Sequence, residues 1–425
     1  MIRFYENPAD MLEEHKAVLD AFPLRSGFFY LDAPAMGKTD KRNYAAAVTE
    51  GSRTLLCLKP VPYNMMLLGS KELLGELIES LLGGGYEIGS VLCDEETGAA
   101  FCACMSAAGQ PEYYEALAMD YMECGVLTAP TDEETEPACA EDIYELHDCL
   151  VRFAKDCGLE EDMGKPEDIR DYANFRVIRR DGHIVSMARR GKDTDTCMRI
   201  SAVYTRDAWR GQGLAEKTVN AVKNDILASG YRASLNVDQR NPVTNYLYRK
   251  LGFERIFAQG QYRPALVETE RLRIRLLTDR EMEEVIAAAP SAELKQAYGE
   301  MLDLSRENQR DRAFSGIWVM ERREDGACVG DLCFKGLQSS VEIGYGTQES
   351  YQNRGYMTEA VNAMCEWALS QGSVKAVEAE TEPDNAASQR VLEKCGFAPM
   401  GILGEEGPRF VRRCTVQEVR EGGRS

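Results

Sequence analysis

The sequence predicts an α/β fold, a mixed α+β sheet with flanking helices, built in tandem. Three observations carry this reading. A segment ordered strand, glycine-bearing turn, helix, strand, helix runs from about residue 198 to 253 and again from about 341 to 397. In each copy the apolar period changes at the turn from two to about 3.6 residues. Matched residues also keep one register: Gly211 and Gly355, Asn241 and Asn385, Lys250 and Lys394, and Phe253 and Phe397 are each 144 residues apart. One shared Gly or Asn would mean little, but several in a single register imply a duplicated unit.

In the first copy Met198, Ile200 and Ala202 alternate with Arg199, Ser201 and Val203, as in a strand. Past the turn, Leu214, Thr218, Val222 and Ile226 recur at helical spacing beside Val219, and Ser229-Gly230 stops that helix. Leu235 and Val237 give the next strand. Asn241 is placed to cap a second helix holding Tyr246, Leu247 and Leu251. The second copy repeats the order, with Val341 to Tyr345 as strand and Met357, Val361, Met364 and Ala368 as helix. Gly372 is its breaker, Val374 to Glu380 are extended, and Asp384 or Asn385 caps the last helix. Residues 1 to 127 lack the repeat. They hold a helical run with Leu73, Leu74, Leu77, Ile78, Leu81 and Leu82, then Gly83-Gly84-Gly85, then an extended apolar stretch near Val91 and Phe101. The expected division is an N-terminal domain over 1–127, one repeat domain over 128–264 and a second over 265–425. The acidic Asp132-Glu133-Glu134 and Glu136-Pro137 read as the first linker.

Composition narrows the function. A chain of 425 residues, 44% hydrophobic and 28% charged, has the make-up of a globular protein with more than one core. No stretch is apolar for the eighteen or more residues of a membrane helix. The start, Met1-Ile2-Arg3-Phe4, shows no secretory leader, so a cytoplasmic location is expected. A net charge of −20 repels nucleic-acid phosphates and anionic membranes, so neither is expected as a partner. The same charge suits a cationic substrate such as a primary amine, and equally serves solubility. Fourteen Cys are scattered without a Cys-x-x-Cys pair. Cys102 and Cys104 would share one strand face, but no His or second Cys pair stands at ligand spacing, so no metal is expected. His15, His147 and His183 are the only histidines, and no Gly-x-Ser-x-Gly places a nucleophile beside one. His183 follows Asp181-Gly182, a hairpin turn. Gly37-Lys38-Thr39, after the strand-like Phe28 to Leu31, looks like a nucleoside-triphosphate loop. Asp32 stands where that loop needs its first Gly, and a carboxylate there would face phosphates.

The glycine-bearing turns are where chemistry concentrates. A helix start leaves backbone N–H groups without partners and carries the positive end of the helix dipole. Glycine lets the turn bend tightly and lets a ligand reach the main chain. Together they suit a diphosphate or similar anion. The first turn reads Arg210-Gly211-Gln212-Gly213-Leu214-Ala215, and the second Gln352-Asn353-Arg354-Gly355-Tyr356-Met357-Thr358.

These segments resemble the GNAT superfamily of CoA-dependent N-acetyltransferases, whose pyrophosphate loop follows Gln/Arg-x-x-Gly-x-Gly/Ala. Arg210, Gly213 and Ala215 meet that pattern, while the second copy has Gln352 and Gly355 but Met357 at the last position. The second copy also opens with Thr269-Glu270-Arg271-Leu272-Arg273-Ile274-Arg275 and continues with Asn385-Ala386-Ala387-Ser388. Those features resemble the branch that acetylates ribosomal-protein N-termini. The resemblance covers roughly residues 130–420, and residues 1–127 fit a degenerate third copy without a cofactor loop.

The resemblance implies acetyl-CoA as cofactor and direct transfer to a primary amine, of a small molecule or of a protein N-terminus, in a ternary complex. It implies cofactor contacts from Val203-Tyr204-Thr205, the loop Arg210 to Ala215 and Asn241. In the second copy these are Tyr345-Gly346-Thr347, the loop Gln352 to Thr358 and Asn385. Tyr248 stands where the family places its general-acid tyrosine, and a packed helix tyrosine is the competing reading. The first copy has no carboxylate on the strand before its loop, so its base is Asp238, a water chain or absent. In the second copy Glu342 stands on that strand as base. Leu392 replaces the tyrosine, and Ser388 either protonates the thiolate, holds CoA or caps the helix. Neither copy shows a complete acid–base pair. A catalytically weak CoA-binding regulatory or scaffolding protein is therefore the alternative.

Overall fold

A computed structural model describes residues 1–156, 164–307, 310–335, 339–371 and 374–413. The chain divides into two compact units, one of residues 1–104 and 116–262, the other of residues 105–115 and 263–425.

The first unit opens with β1 (Ile2–Tyr5), three short helices α1 (Pro8–Glu14), α2 (Lys16–Ala21) and α3 (Gly27–Asp32), and the antiparallel meander β2 (Tyr44–Glu50), β3 (Arg53–Lys59) and β4 (Met65–Gly69). Helix α4 (Leu74–Gly83) buries Leu74, Leu77, Ile78 and Leu81, a one-faced stripe, and brings the chain back to β5 (Val91–Asp94), parallel to β4. Helix α5 (Glu95–Ala107) then leads into β6 (Tyr113–Cys124). Strand, helix, strand, helix, strand is the order of the repeat, but the β4–α4 junction is Ser70-Lys71-Glu72-Leu73, with no glycine between the elements.

Two sequence expectations fail in this region. Phe28 to Leu31 lie on α3 and not on a strand, and Phe101, Cys102 and Cys104 lie on α5, so the two thiols share no strand face. A short apolar run has no period long enough to separate strand from helix. Gly98 decides the case for α5: a Cβ there would fall 2.0 Å from the Tyr262 ring, so the helix lies closely on its sheet.

The unit continues through β7 (Glu136–Pro137), α6 (Ile143–Asp156), β8 (Phe175–Arg180), β9 (His183–Lys192), β10 (Cys197–Thr205), α7 (Leu214–Ala228), β11 (Arg232–Asp238), α8 (Pro242–Lys250) and β12 (Glu254–Pro264). Asp181 and Gly182, both at positive φ, turn the β8–β9 hairpin as read from the sequence. Leu214, Thr218, Val219, Val222 and Ile226 of α7 face the core. The acidic stretch before β7 is tied down, with Asp132 and Glu134 on Lys217 and Glu134 also on Arg180.

All twelve strands form one sheet, ordered β1-β2-β3-β4-β5-β12-β6-β11-β10-β9-β8-β7. Its centre is an exchange. The last strand of the earlier segment, β6, pairs with β11 of the later one, and the last strand of the later segment, β12, pairs with β5 of the earlier one. Each half completes the other.

The second unit keeps its strands to itself. It comprises β13 (Leu266–Glu268), β14 (Leu272–Leu276), α9 (Asp279–Ala288), α10 (Ala292–Glu307), α11 (Arg312–Ser315), β15 (Ile317–Arg322), β16 (Cys328–Phe334) and β17 (Ser340–Thr347). After these come α12 (Tyr356–Leu369), β18 (Ala376–Glu380), α13 (Ala386–Lys394), β19 (Ala398–Leu403) and β20 (Pro408–Arg413). The hairpin β19–β20 closes the sheet beside β18, in the order β13-β14-β15-β16-β17-β18-β20-β19. Trp367 of α12 sits in an aromatic cluster with Tyr114, Phe314, Trp318 and Phe334. The expected breaker Gly372 lies outside the described residues. Among the described residues no helix is long and apolar enough to cross a membrane, no group of three or more His, Cys, Asp or Glu is disposed to hold a metal, and the cysteines are free thiols.

Candidate cofactor and transfer sites

Both repeats build the same corner. Strand β10 ends at Thr205 and β17 at Thr347, and a short turn follows each in which Trp209 N–H donates to Arg206 C=O and Tyr351 N–H to Gln348 C=O. The side chains of Arg210 and Gln352 reach back to the carbonyls of Thr205 and Thr347, at 3.0 and 3.4 Å. Gly213 (φ 75°) and Gly355 (φ 80°) then stand in the left-handed region as N-caps of α7 and α12. Gly211 (φ 76°) is matched by Asn353 (φ 60°), and Asn tolerates this region better than other side chains.

This corrects the register. The equivalent of Gly355 is Gly213, 142 residues away, and not Gly211; Asn241 and Asn385 remain 144 apart, each accepting its helix's N–H at Thr244 or Ser388. The 144-residue register therefore holds for the last helix but slips by two at the loop, because lengths differ between the copies. Met357 is buried in the core, so its departure from the loop pattern is absorbed by packing.

The strands in front of the corners part early. Among the described residues β10 pairs with β11 only at Cys197–Arg199, and β17 with β18 only at Ser340–Glu342. Beyond those pairs Val203-Tyr204-Thr205 and Tyr345-Gly346-Thr347 run on without their parallel neighbour. Main-chain groups along such an opening are available to a ligand's amides. A bulge at Ala202 (φ 50°) shifts the register in β10. Through the strand pairings, Arg199 becomes the counterpart of Glu342, and Ser234 that of Glu378.

Those positions carry opposite charge. In the second unit Glu342 is paired with Lys335 and with Arg409 at 2.8 Å, and Arg409 also reaches Glu378 at 3.1 Å. Glu380 accepts the backbone N–H of Gly407 at 2.8 Å, and that bond holds its carboxyl below the ordinary value. In the first unit Arg199 is ion-paired with Asp193, a carboxylate almost closed to water that also accepts from Tyr121 O–H at 2.9 Å and from Ser234. Asp238, weighed as a base, accepts the Arg240 N–H at 2.9 Å and sits at the end of β11.

The hydroxyl groups also differ. Tyr248 lies on α8, buried among Val219, Val222, Leu235 and Leu251, with its ring 6.0 Å from Phe253 and Val203 packed against the same cluster. In the second unit the corresponding helix residue, Leu392, is buried and aliphatic. The strand residue answering to Val203 is Tyr345, whose hydroxyl lies 2.8 Å from Ser388 Oγ. The reach of the Tyr345 side chain is not legible in the sequence, because period and motif describe a strand's backbone and not where one side chain ends.

The loops are braced from outside. Arg271 donates to Glu359 of α12 and, at 3.0 Å, to the carbonyl of Arg354, and its guanidinium lies 4.5 Å from the Tyr356 ring centre. Burial works against ionised Glu359, but bonds from Thr269 and Arg271 outweigh it and lower its pKa. In the first unit Lys217 takes the place of Glu359, with the charges reversed, while Arg210 is paired with Asp156 and Asp207.

Two family profiles match the chain: an "Acetyltransferase (GNAT) family" profile over residues 140–253 and an "Acetyltransferase (GNAT) domain" profile over 263–398, together more than half of its length. The chain belongs to the GNAT acetyltransferases, in two tandem copies. Acyl transfer is the chemistry of that family, and the chain is an N-acetyltransferase at that level. It is similar to the uncharacterized N-acetyltransferase YjdG of Bacillus subtilis (strain 168), 31% identical over 25% of this chain and 66% of that protein. It is similar also to the uncharacterized N-acetyltransferase YoaA of the same organism, 26% identical over 32% of this chain and 85% of that one. Among solved structures, a GNAT-family acetyltransferase from Colwellia psychrerythraea aligns with 62% of this chain and 99% of its own at 13% identity, TM-score 0.46.

Proposed function

We propose that each GNAT copy holds acetyl-CoA by its pyrophosphate at the glycine corner and passes the acetyl group directly to a primary amine of a small molecule or a protein N-terminus. The observation that carries this reading is the paired left-handed glycine at the start of a long helix, Gly213 on α7 and Gly355 on α12, each behind a strand that has left its partner. Unbonded N–H groups and the helix dipole favour a diphosphate there. The loop residues Arg210 to Ala215 and Gln352 to Thr358 would contact it, with Val203 to Thr205 and Tyr345 to Thr347 alongside pantetheine and Asn241 and Asn385 beyond. In the first copy Tyr248 is the proposed acid for the thiolate. In the second, Glu342 is the proposed base and Ser388 the hydroxyl at the sulfur. The acidic side chains Glu342, Glu378 and Glu380 suit a cationic acceptor, and a cytoplasmic location suits the cofactor.

Calorimetric titration of the full chain with CoA, followed by acetyl-CoA consumption over a panel of primary amines and N-terminal peptides, tests the reading. Two equivalents of CoA and amine-dependent release of thiol are expected. Binding with no turnover on any amine would turn the reading toward a CoA-binding scaffold. No heat and no thermal protection would remove it.

A further inference from the structure

We infer that Tyr345 is a positioning residue for the second copy's transfer reaction, fixing the Ser388 hydroxyl so that its proton points at the departing sulfur. The inference rests on the cofactor reading above, which uses only the main chain of Tyr345, and gives the phenol side chain a role of its own. Three observations support it. First, Tyr345 Oη stands 2.8 Å from Ser388 Oγ across the gap between β17 and the first turn of α13, beside the opening where β17 leaves β18. Second, the same helix position in the first copy behaves differently. Thr244, like Ser388, is the third residue after an Asn cap, but its hydroxyl turns back onto the Asn241 carbonyl at 3.2 Å. A hydroxyl rotor in a first helical turn has that local acceptor by default, and in the second copy the phenol supplies another partner. Third, the phenol has changed element between copies. The first has Val203 on the strand and Tyr248 on the helix; the second has Tyr345 on the strand and Leu392 on the helix.

Burial pushes the Tyr345 phenol up to about 12 against a smaller lowering by the Ser388 bond, so the phenol keeps its proton and is no proton source; that proton has Ser388 Oγ at 2.8 Å and the Ser388 carbonyl at 3.4 Å as acceptors. With Tyr345 donating to Ser388 Oγ, the Ser388 O–H is left to donate to sulfur. The step balances without either hydroxyl losing its proton. The amine nitrogen bonds the acetyl carbon and gives its proton to Glu342, the carbon–sulfur bond breaks with its electron pair on sulfur, and the thiolate takes one proton from solvent while Glu342 returns one to it, making free CoA. A hydrogen bond aimed where charge develops stabilises the thiolate leaving group.

The test reads the ionisation of bound CoA thiol by thiolate absorbance against pH. It uses the full chain carrying Gly213→Val, so that one equivalent of CoA binds. The thiol titration is read at saturating CoA, and in that background Tyr345→Phe should leave the melting temperature near that of the parent. It should also reduce the bound thiolate at a given pH about tenfold, the order expected for losing one hydrogen bond to a charged group. Ser388→Ala should give the same loss, and the double variant no more, since the two act as one unit. A thiol titration unchanged by Tyr345→Phe, or additive losses, would overturn the positioning role while leaving the cofactor reading intact. Absence of CoA binding in the parent would overturn both.

Discussion

The two copies share a backbone corner and differ in nearly every side chain that would do chemistry around it. Gly213 and Gly355 hold the same left-handed geometry, and Asn241 and Asn385 cap the same helix. Yet Arg199 stands where the other copy has Glu342, Lys217 where it has Glu359, and the phenol moves from Tyr248 on a helix to Tyr345 on a strand. The difference teaches that main-chain geometry, which a bound diphosphate would read, constrains sequence at a few glycines and caps. The side chains flanking that corner are exchanged or inverted in charge while the strands stay in place.

The comparison can be broken most severely at the exchanged strands. Expressing residues 128–425 without the first 127 removes β5 and β6, which flank β12, and leaves β11 without its antiparallel partner. We expect the first unit's unfolding transition to vanish in calorimetry; a soluble remnant with two CoA equivalents would contradict the exchange. Next come the corners. Gly213→Val and Gly355→Val each force a β-branched residue to positive φ, a strain of about 1–2 kcal/mol. Each should cost one of two CoA equivalents by titration, with the other site intact. Glu342→Gln should lower second-copy turnover about a hundredfold with CoA affinity unchanged, measured as a pH–rate profile; Arg199→Gln should not reshape that profile. Asn241→Ala and Asn385→Ala should each lose about 1 kcal/mol in denaturant unfolding, because each removes one capping bond. The smallest effect lies at alkaline pH. The Tyr345 phenol is raised from 10.0 to about 12, so folding favours its neutral form. That stability is whole below pH 10 and lost as pH climbs toward about 12. Tyr345→Phe should flatten this stretch of the stability–pH curve.

Much of this architecture is legible in the sequence. The repeat order, both Asn caps, the Asp181-Gly182 hairpin and the buried stripes of α7 and α12 follow from periods and local turn chemistry that neighbours in sequence supply. What escaped depends on partners distant in the chain. The loop register slips because the first loop holds two glycines and counting residues cannot tell which of them caps the helix: Gly213 does, 28 residues before Asn241, against 30 from Gly355 to Asn385. Phe28 to Leu31 and Cys102 with Cys104 read as strand residues because short apolar runs suit both elements, and the structure has them on helices. Arg271 was visible as part of a motif, but its bond to the Arg354 carbonyl joins residues 83 apart. Asp193 carried no motif at all, and its meeting with Tyr121, Arg199 and Ser234 is made by three strands.

The crossing of β6 and β12 bears on synthesis. When β5 has left the ribosome, the segment that will lie along it is still about 165 residues from being made. Until then one flank of the nascent sheet offers open backbone groups to any extended peptide nearby. Pairings between such distant segments form slowly and expose the chain to wrong partners meanwhile. This protein should therefore lean on holding chaperones during translation more than a chain whose sheets close with a local hairpin, as β19 and β20 do.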